Sequence, residues 1–172
     1  MSQAETTALS ASRILLTILR ILNIGTGIGL VIALPASFFF EPTFFEFFSK
    51  KPPRIDPSML LPVLRMWMLL ALLMVALVHV QLTRLLAVVA TVRDDPFVPE
   101  NAVRLKTIAW CMLGIELLRL AFGVMAGAMN AAGSNIDWEF SASGWVAVVL
   151  LFVLAQVFEV GTRMRADLDT MI

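Results

Sequence analysis

The chain alternates long apolar runs with short polar intervals. Four of these runs carry little or no charge, and they predict membrane-spanning helices at about 14–39, 63–92, 99–130 and 142–162. A helix needs about 20 consecutive apolar residues to cross the hydrocarbon core, and each run provides that length. The pattern therefore predicts an all-α, integral membrane four-helix bundle of one domain, followed by a polar tail at 163–172.

The most polar interval, residues 91–110, lies between the second and third runs. Asp95 and Val98 each precede a proline, which disfavours helical backbone, so the second helix should end near Asp94. Pro99 suits the first turn of a new helix, and Glu100 suits the positive end of the helix dipole. These signals predict a tight connection that makes the second and third helices antiparallel neighbours. We interpret it either as a solvated turn or as a docking surface.

The beginning of the chain and the first loop leave alternatives open. Residues 1–12 are small and polar, which predicts a frayed terminus. Leu34-Pro35-Ala36 resembles a signal-peptide cleavage site, although the first run is longer than the roughly 7–15 apolar residues of such peptides. The phenylalanines of the first loop favour a segment in the membrane interface over an aromatic ligand site. Prolines in the same loop predict that no continuous helix forms there: Pro52, Pro53, Pro57 and Pro62.

Composition supports the membrane interpretation and argues against several functions. The hydrophobic fraction is 59%, charged residues are 15% and the mean hydropathy is +0.88, whereas soluble domains have about 45–50% apolar and about 25% charged residues. The net charge of +0 gives no general attraction to nucleic acid, so we expect no direct binding of it. The lone Cys111 cannot form an intramolecular disulfide.

The sequence also lacks the motifs of common enzymes. It has no HExxH, no GxSxG and no glycine-rich phosphate loop, so we expect no catalytic residues, no cofactor and no enzymatic activity. His79 and Glu116 would supply two metal ligands, whereas a closed zinc site needs four. We therefore expect no metal site.

Basic residues orient the protein in the membrane. Eight fall on the side of the termini and the 94–101 turn: Arg13, Arg20, Arg84, Arg93, Arg104, Lys106, Arg163 and Arg165. Four fall on the other side: Lys50, Lys51, Arg54 and Arg65. Lysine and arginine are in excess in cytoplasmic segments, so this distribution predicts that both termini are cytoplasmic.

Three ionisable residues interrupt the apolar runs near their middle. Glu116 and Arg119 are three residues apart, so they are neighbours on one helix face and can pair. Charged groups at the bilayer centre cost roughly 2.5–3.5 kcal/mol on insertion scales, so each needs a partner. His79 lies at a similar depth in the second run. We interpret His79, Glu116 and Arg119 either as a proton or ion relay, or as a structural pair that fixes helix register.

Small residues predict where helices approach each other closely. Gly25 and Gly29 share a face of the first span, and Gly123 and Gly127 share the polar face of the third span. Spacings of four residues between glycines are typical of closely packed membrane helices. All four glycines are therefore candidates for helix packing.

Polar residues at the predicted cytoplasmic end form the candidate docking surface. They combine arginine with acidic and amide groups in two short segments: Arg93, Asp95, Asn101, Arg104, Arg163, Arg165 and Asp167. Charges arranged in this way set the specificity and encounter rate of reversible complexes. The alternative is that these groups hold the helix ends at the lipid headgroups.

Two segments resemble the motifs of a known bacterial membrane family. The first is Asp95-Pro96-Phe97-Val98-Pro99-Glu100-Asn101 followed by Arg104-Leu105, and the second is the tail 158–167. Both are similar to domain of unknown function 2975. The tail departs from the family pattern at Leu168 and Met171. The resemblance implies a four-span inner-membrane protein without an assigned activity, and it implies a regulatory partnership with a small helix-turn-helix protein.

Three functions remain as hypotheses in order of preference. The first is a non-enzymatic membrane adaptor or regulator that docks a cytosolic partner, in a bacterial inner membrane. The second is a small proton- or ion-coupled transporter or channel subunit that uses His79, Glu116 and Arg119. The third is an intramembrane enzyme. Besides the lipid bilayer, the candidate partners are a cytosolic protein and a second copy of the chain.

Overall fold

Four long helices make up the part of the fold that the structure describes. The structure, a computed structural model, describes residues 3–43, 57–91, 97–131, 133 and 135–169; for 3–9, 57–60 and 167–169 it describes only the backbone. The helices are α1 (Gln3–Phe39), α2 (Pro57–Thr91), α3 (Pro99–Ala131) and α4 (Ala142–Asp169). Each contains a segment long and apolar enough to cross a membrane. The predictions made for Phe44–Phe48, Pro52, Pro53, Arg93 and Asp95 lie outside the described residues.

Two helices begin earlier than their sequence predicts. Helix α1 starts at Gln3, so the expected frayed segment is helical, because no glycine or proline interrupts residues 3–24. Helix α2 starts at Pro57 and includes Pro62, so the prediction that the prolines of the first loop prevent a continuous helix is wrong for residues 57–62. Pro57 occupies the favoured first position, and Pro62 removes only a hydrogen bond to the first turn.

The helices form an open row of antiparallel neighbours. Among the described residues, close backbone contacts join α1 to α2, α2 to α3 and α3 to α4, and no other pair of these helices. The predicted four-helix bundle is therefore corrected, because a closed bundle also needs contact between its first and last helices. Lipid tails are as apolar as leucine, so no hydrophobic driving force closes such a row. We call the end where α2 stops and α3 begins the turn end.

Helix α3 lies at the centre of the packing. A cluster of buried side chains joins it to α4 through Leu105, Ile108 and Ala155, and Leu85 of α2 packs against the same cluster. Helix α1 instead exposes most of its large apolar side chains, as expected for a helix in contact with lipid. Two of the three buried polar side chains of the described residues, Asn101 and Glu116, lie on α3.

The connection between α3 and α4 folds back along α3. Asn130 holds it by donating to the carbonyl of Ile136 and accepting from the Ile136 amide, at 2.9 and 2.8 Å. Gly133 makes the reversal possible with a φ of 99°, a conformation that favours glycine. Trp138 then lies on Gly123, about two helix turns below Asn130. Helix α4 consequently begins near the depth of Glu116 rather than at the end of α3.

Candidate functional site

A buried carboxylate lies in the middle of α3. Glu116 is 2% exposed, and the Nη1 atom of Arg119 lies 3.4 Å from its Oε1 atom. This distance is longer than the roughly 2.7–2.9 Å of a strong charged hydrogen bond. The Arg119 side chain remains 45% exposed. The two residues therefore pair as the sequence predicts, but the carboxylate is enclosed and the guanidinium is only partly covered.

Gly144 covers the Glu116 carboxylate from the neighbouring helix. A Cβ atom at Gly144 would overlap all three atoms of that carboxylate, so only glycine allows this approach. Gly144 lies in the first turn of α4, beside a contact of 2.9 Å between the hydroxyls of Ser141 and Ser143. The positive end of the α4 dipole therefore faces the negative charge and stabilises it. Sequence reasoning missed Gly144, although a glycine beside two serines at a span's beginning is a usable signal.

His79 does not join the pair. Leu77 packs against Gly114, and the Gln81 amide lies 3.9 Å from Met112 Sδ, so these contacts set the register of α2 against α3. His79 lies between those levels, about one helix turn from Glu116 along the membrane normal. Within the described residues, no hydrogen bond or ion pair links it to Glu116 or Arg119. The predicted cluster therefore reduces to the Glu116–Arg119 pair.

The glycines that contact other helices differ from the predicted ones. A Cβ atom at Gly25, Gly29 or Gly127 would meet nothing within 4 Å, which corrects their assignment to helix packing within one chain. Gly123 holds the indole ring of Trp138 rather than another helix. The close approaches occur at glycines that were not singled out: Gly27 against Val75, Gly114 against Leu77, Gly144 against Glu116 and Gly161 against Phe97.

An arginine joins α2 to α3 at the turn end. The Nη1 group of Arg104 donates to Asn101 Oδ1 at 2.9 Å, and to Thr91 Oγ1 and the carbonyl of Ala87 at 3.3 Å. The Thr91 hydroxyl donates to the same Asn101 oxygen at 2.8 Å. Arg104 therefore links the beginning of α3 to the last turn of α2 through both a side chain and a backbone carbonyl.

This network corrects part of the predicted docking surface. Asn101 is 0% exposed, so it cannot contact a soluble partner, and Arg104 directs its guanidinium into the protein. Arg163 is 75% exposed and pairs with Glu159 at 2.6 Å. Arg165 is exposed one turn from the end of α4, while only the backbone of Asp167 is described. Among the described members of this surface, the most exposed side chains are therefore on α4.

A second arginine joins α1 to α2 at the opposite end. The Nη2 group of Arg65 donates to the carbonyl of Ser37 at 2.8 Å and pairs with Glu41. Its guanidinium carbon lies 3.8 Å from the centre of the Phe38 ring, a cation–π contact. Ser37 is fully buried beneath this contact. The sequence analysis treated Arg65 only as a topology signal and missed its role at the C-terminal end of α1.

The two segments that carry the family resemblance contact each other. Phe97 packs against Phe158 with ring centroids 5.5 Å apart, and a Cβ atom at Gly161 would lie 3.0 Å from the Phe97 ring. The turn segment thus contributes Phe97, Asn101 and Arg104, and the tail contributes the surface that receives Phe97. Helix packing at the turn end therefore involves described residues of both motifs.

Four apolar spans, two interhelical arginines and an enclosed carboxylate define a multi-pass, all-α membrane protein. The chain belongs to the family described as protein of unknown function, DUF2975, whose family model matches residues 50–172. That range includes α2, α3, α4 and both motifs, and it leaves out α1. Comparison with curated proteins finds no match, and comparison with solved structures finds none either.

Proposed function

We propose that the protein is a non-enzymatic membrane adaptor or regulator that docks a cytosolic protein at its turn end. In this proposal the membrane is the bacterial inner membrane, and both termini are cytoplasmic. The partner is a small soluble protein with acidic groups, and a helix-turn-helix regulator fits that description. The proposal rests mainly on the C-terminal part of α4, which carries exposed basic groups beyond the apolar part of the helix.

The geometry of α4 supports a docking role for this segment. The helix continues without interruption to Asp169, although its last long apolar stretch ends at Phe158. The intervening residues 159–169 extend about 16 Å along the helix axis. Phe97 packs against the beginning of this extension. The position of the extension is therefore fixed by the rest of the protein. Because the backbone that carries Arg163 and Arg165 is already helical, little conformational entropy is lost when a partner binds. Such a preorganised element favours reversible recognition.

The transport hypothesis has one observation in its favour. Glu116 is enclosed at a depth where charged groups are rare, and such groups are often functional. However, the described helices form an open row and not a closed ring. A single chain therefore encloses no evident path for an ion from one side of the membrane to the other. We therefore place transport second. Proton flux into liposomes, with Glu116→Gln as the variant, discriminates the two functions.

The orientation is tested by labelling single cysteines in intact cells with a membrane-impermeant thiol reagent. In a Cys111→Ser background, we expect Asp137→Cys to react and Glu100→Cys not to react, because the basic residues favour a cytoplasmic turn end. Both side chains are exposed, whereas Asn101 is buried and unsuitable as a reporter. After permeabilisation both cysteines should react. Labelling of Glu100→Cys alone in intact cells would reverse the orientation.

The docking segment is tested by affinity purification with mass spectrometry. We expect the double variant Arg163→Ala, Arg165→Ala to lose most of an acidic cytosolic partner that the parent protein captures, because two exposed charges are removed. Arg84→Ala is the matched control, since it removes an exposed basic residue from α2 at the same end. Equal recovery by all three proteins, or no recovery by any of them, contradicts the docking proposal.

A further inference from the structure

A groove at the turn end lies between the beginning of α3 and the end of α4. Its volume is about 410 Å³, and its walls are largely apolar, with Ala102 and Val103 on one side and Ala166 on the other. Three charged side chains line it: Lys106, Glu159 and Arg163. This volume is large enough for a lipid headgroup, since ligand pockets typically measure about 300–1,000 Å³.

The charges in the groove are unequally paired. Arg163 and Glu159 neutralise each other at 2.6 Å, and the hydroxyl of Thr162 donates to the carbonyl of Glu159. Lys106 has no hydrogen-bond or ion-pair partner in the part of the chain that the structure describes. Among the described residues, the groove therefore offers one positive charge without a direct partner, beside an apolar wall. Its complement is a molecule with one negative charge and an apolar body.

The depth of the groove selects the same kind of molecule. Helix α3 has 33 residues and is about 50 Å long, whereas the hydrocarbon core is about 30 Å thick. The first two turns of α3, which form one wall, thus lie near the headgroup layer. Side chains on a helix tilt toward its N-terminus, so Lys106 extends toward that layer. Basic pockets between membrane helices at this depth bind anionic headgroups.

We propose that this groove binds the headgroup of an anionic phospholipid, with the ammonium group of Lys106 on the phosphodiester. Lys106 and the lipid phosphate form the contact that distinguishes anionic from zwitterionic lipid. One wall of the groove belongs to the α4 segment assigned to docking, but Lys106, the residue that contacts the phosphate in this proposal, lies on α3.

The experiment is native mass spectrometry of the purified full-length protein with phosphatidylglycerol or phosphatidylcholine added to neutral detergent. We expect phosphatidylglycerol to be retained about fivefold more than phosphatidylcholine, the ratio expected for one basic residue near a lipid surface. Lys106→Gln should abolish that preference and Lys106→Arg should keep it. Arg84→Gln, a basic residue of the same end outside the groove, should also keep it.

Three results would overturn the proposal. Equal retention of both lipids by the parent protein would show that the groove does not prefer anionic lipid. An equal loss of preference in Arg84→Gln and Lys106→Gln shows a general surface charge effect rather than a groove. Displacement of phosphatidylglycerol by inorganic phosphate identifies a free-anion site instead of a lipid site. Partner capture by Lys106→Gln should remain at the parent level, which separates this test from that of the docking segment.

Discussion

Replacing Arg104 with methionine should lower the free energy of unfolding by about 2–3 kcal/mol, because hydrogen bonds to charged groups are each worth about 1.5–3 kcal/mol. The guanidinium is the shared donor to Asn101, Thr91 and the Ala87 carbonyl. Methionine preserves most of the side-chain volume and leaves the fully buried Asn101 amide with one fewer partner. The measurement is reversible unfolding of the purified protein in detergent, followed by circular dichroism.

Arg84→Met is the control for this prediction. Arg84 is an exposed residue of α2 near the same end, so its replacement should change stability by no more than about 0.5 kcal/mol. A similar loss in both variants would show that the effect comes from total charge and not from the network. An unchanged stability of Arg104→Met would show that the network is not a determinant of the α2–α3 contact.

Replacing Gly144 with leucine should destabilise the protein by about 2–3 kcal/mol, near the upper end of the usual cost of overpacking. Any Cβ atom at this position overlaps the Glu116 carboxylate, which is 2% exposed, and the larger leucine side chain adds further atoms at the same contact. The substitution must therefore separate α3 from α4 or expel the carboxylate from its position at the beginning of α4. Thermal unfolding in detergent measures the change.

Gly127→Leu is the matched control, because a Cβ atom at Gly127 meets nothing within 4 Å. The same chemical change on the neighbouring helix should alter stability by about 0.5 kcal/mol or less, and leucine's higher helix propensity acts in its favour. If Gly127→Leu is as destabilising as Gly144→Leu, then Gly127 contacts a surface outside a single chain. A neutral Gly144→Leu would instead contradict the described contact between Gly144 and Glu116.

The sequence was informative wherever a residue has a local effect. Pro99, with Pro96 before it in the sequence, specifies where α3 begins, because proline restricts its own backbone and that of its predecessor. The spacing of Glu116 and Arg119 specifies their pairing, because residues three apart on a helix are neighbours. Both predictions require only the geometry of one helix, and no knowledge of what packs against it.

The sequence was uninformative about which face of each helix contacts another. In a soluble helix the buried face is marked by apolar residues, but here lipid-facing and protein-facing positions are both apolar. Gly25 and Gly29 thus have the same spacing as a packing motif and yet face open space. Asn101 is polar and lies near the end of a helix, which suggested exposure. Its burial depends on a threonine of α2 ten residues earlier.

The same uncertainty explains the error in the overall arrangement. Four spans joined by short connections are compatible with a closed ring of helices and with an open row. The difference depends on whether α1 and α4 meet, and no local pattern in either helix reports on that contact. Gly144 was missed for a related reason, since it matters through its contact with the Glu116 carboxylate of another helix.

The open row has a consequence for how the protein is made. Among the described residues, every close contact between helices joins consecutive helices, so each helix can pack against its predecessor as soon as it is inserted. As the ribosome delivers the spans one after another, α2 can dock on α1 through Arg65 before α3 has emerged, and α3 can then dock on α2 through Arg104. Contacts between segments that are close in sequence form fastest. Assembly therefore proceeds by extension at one edge, and the most recently added helix always offers the surface that receives the next.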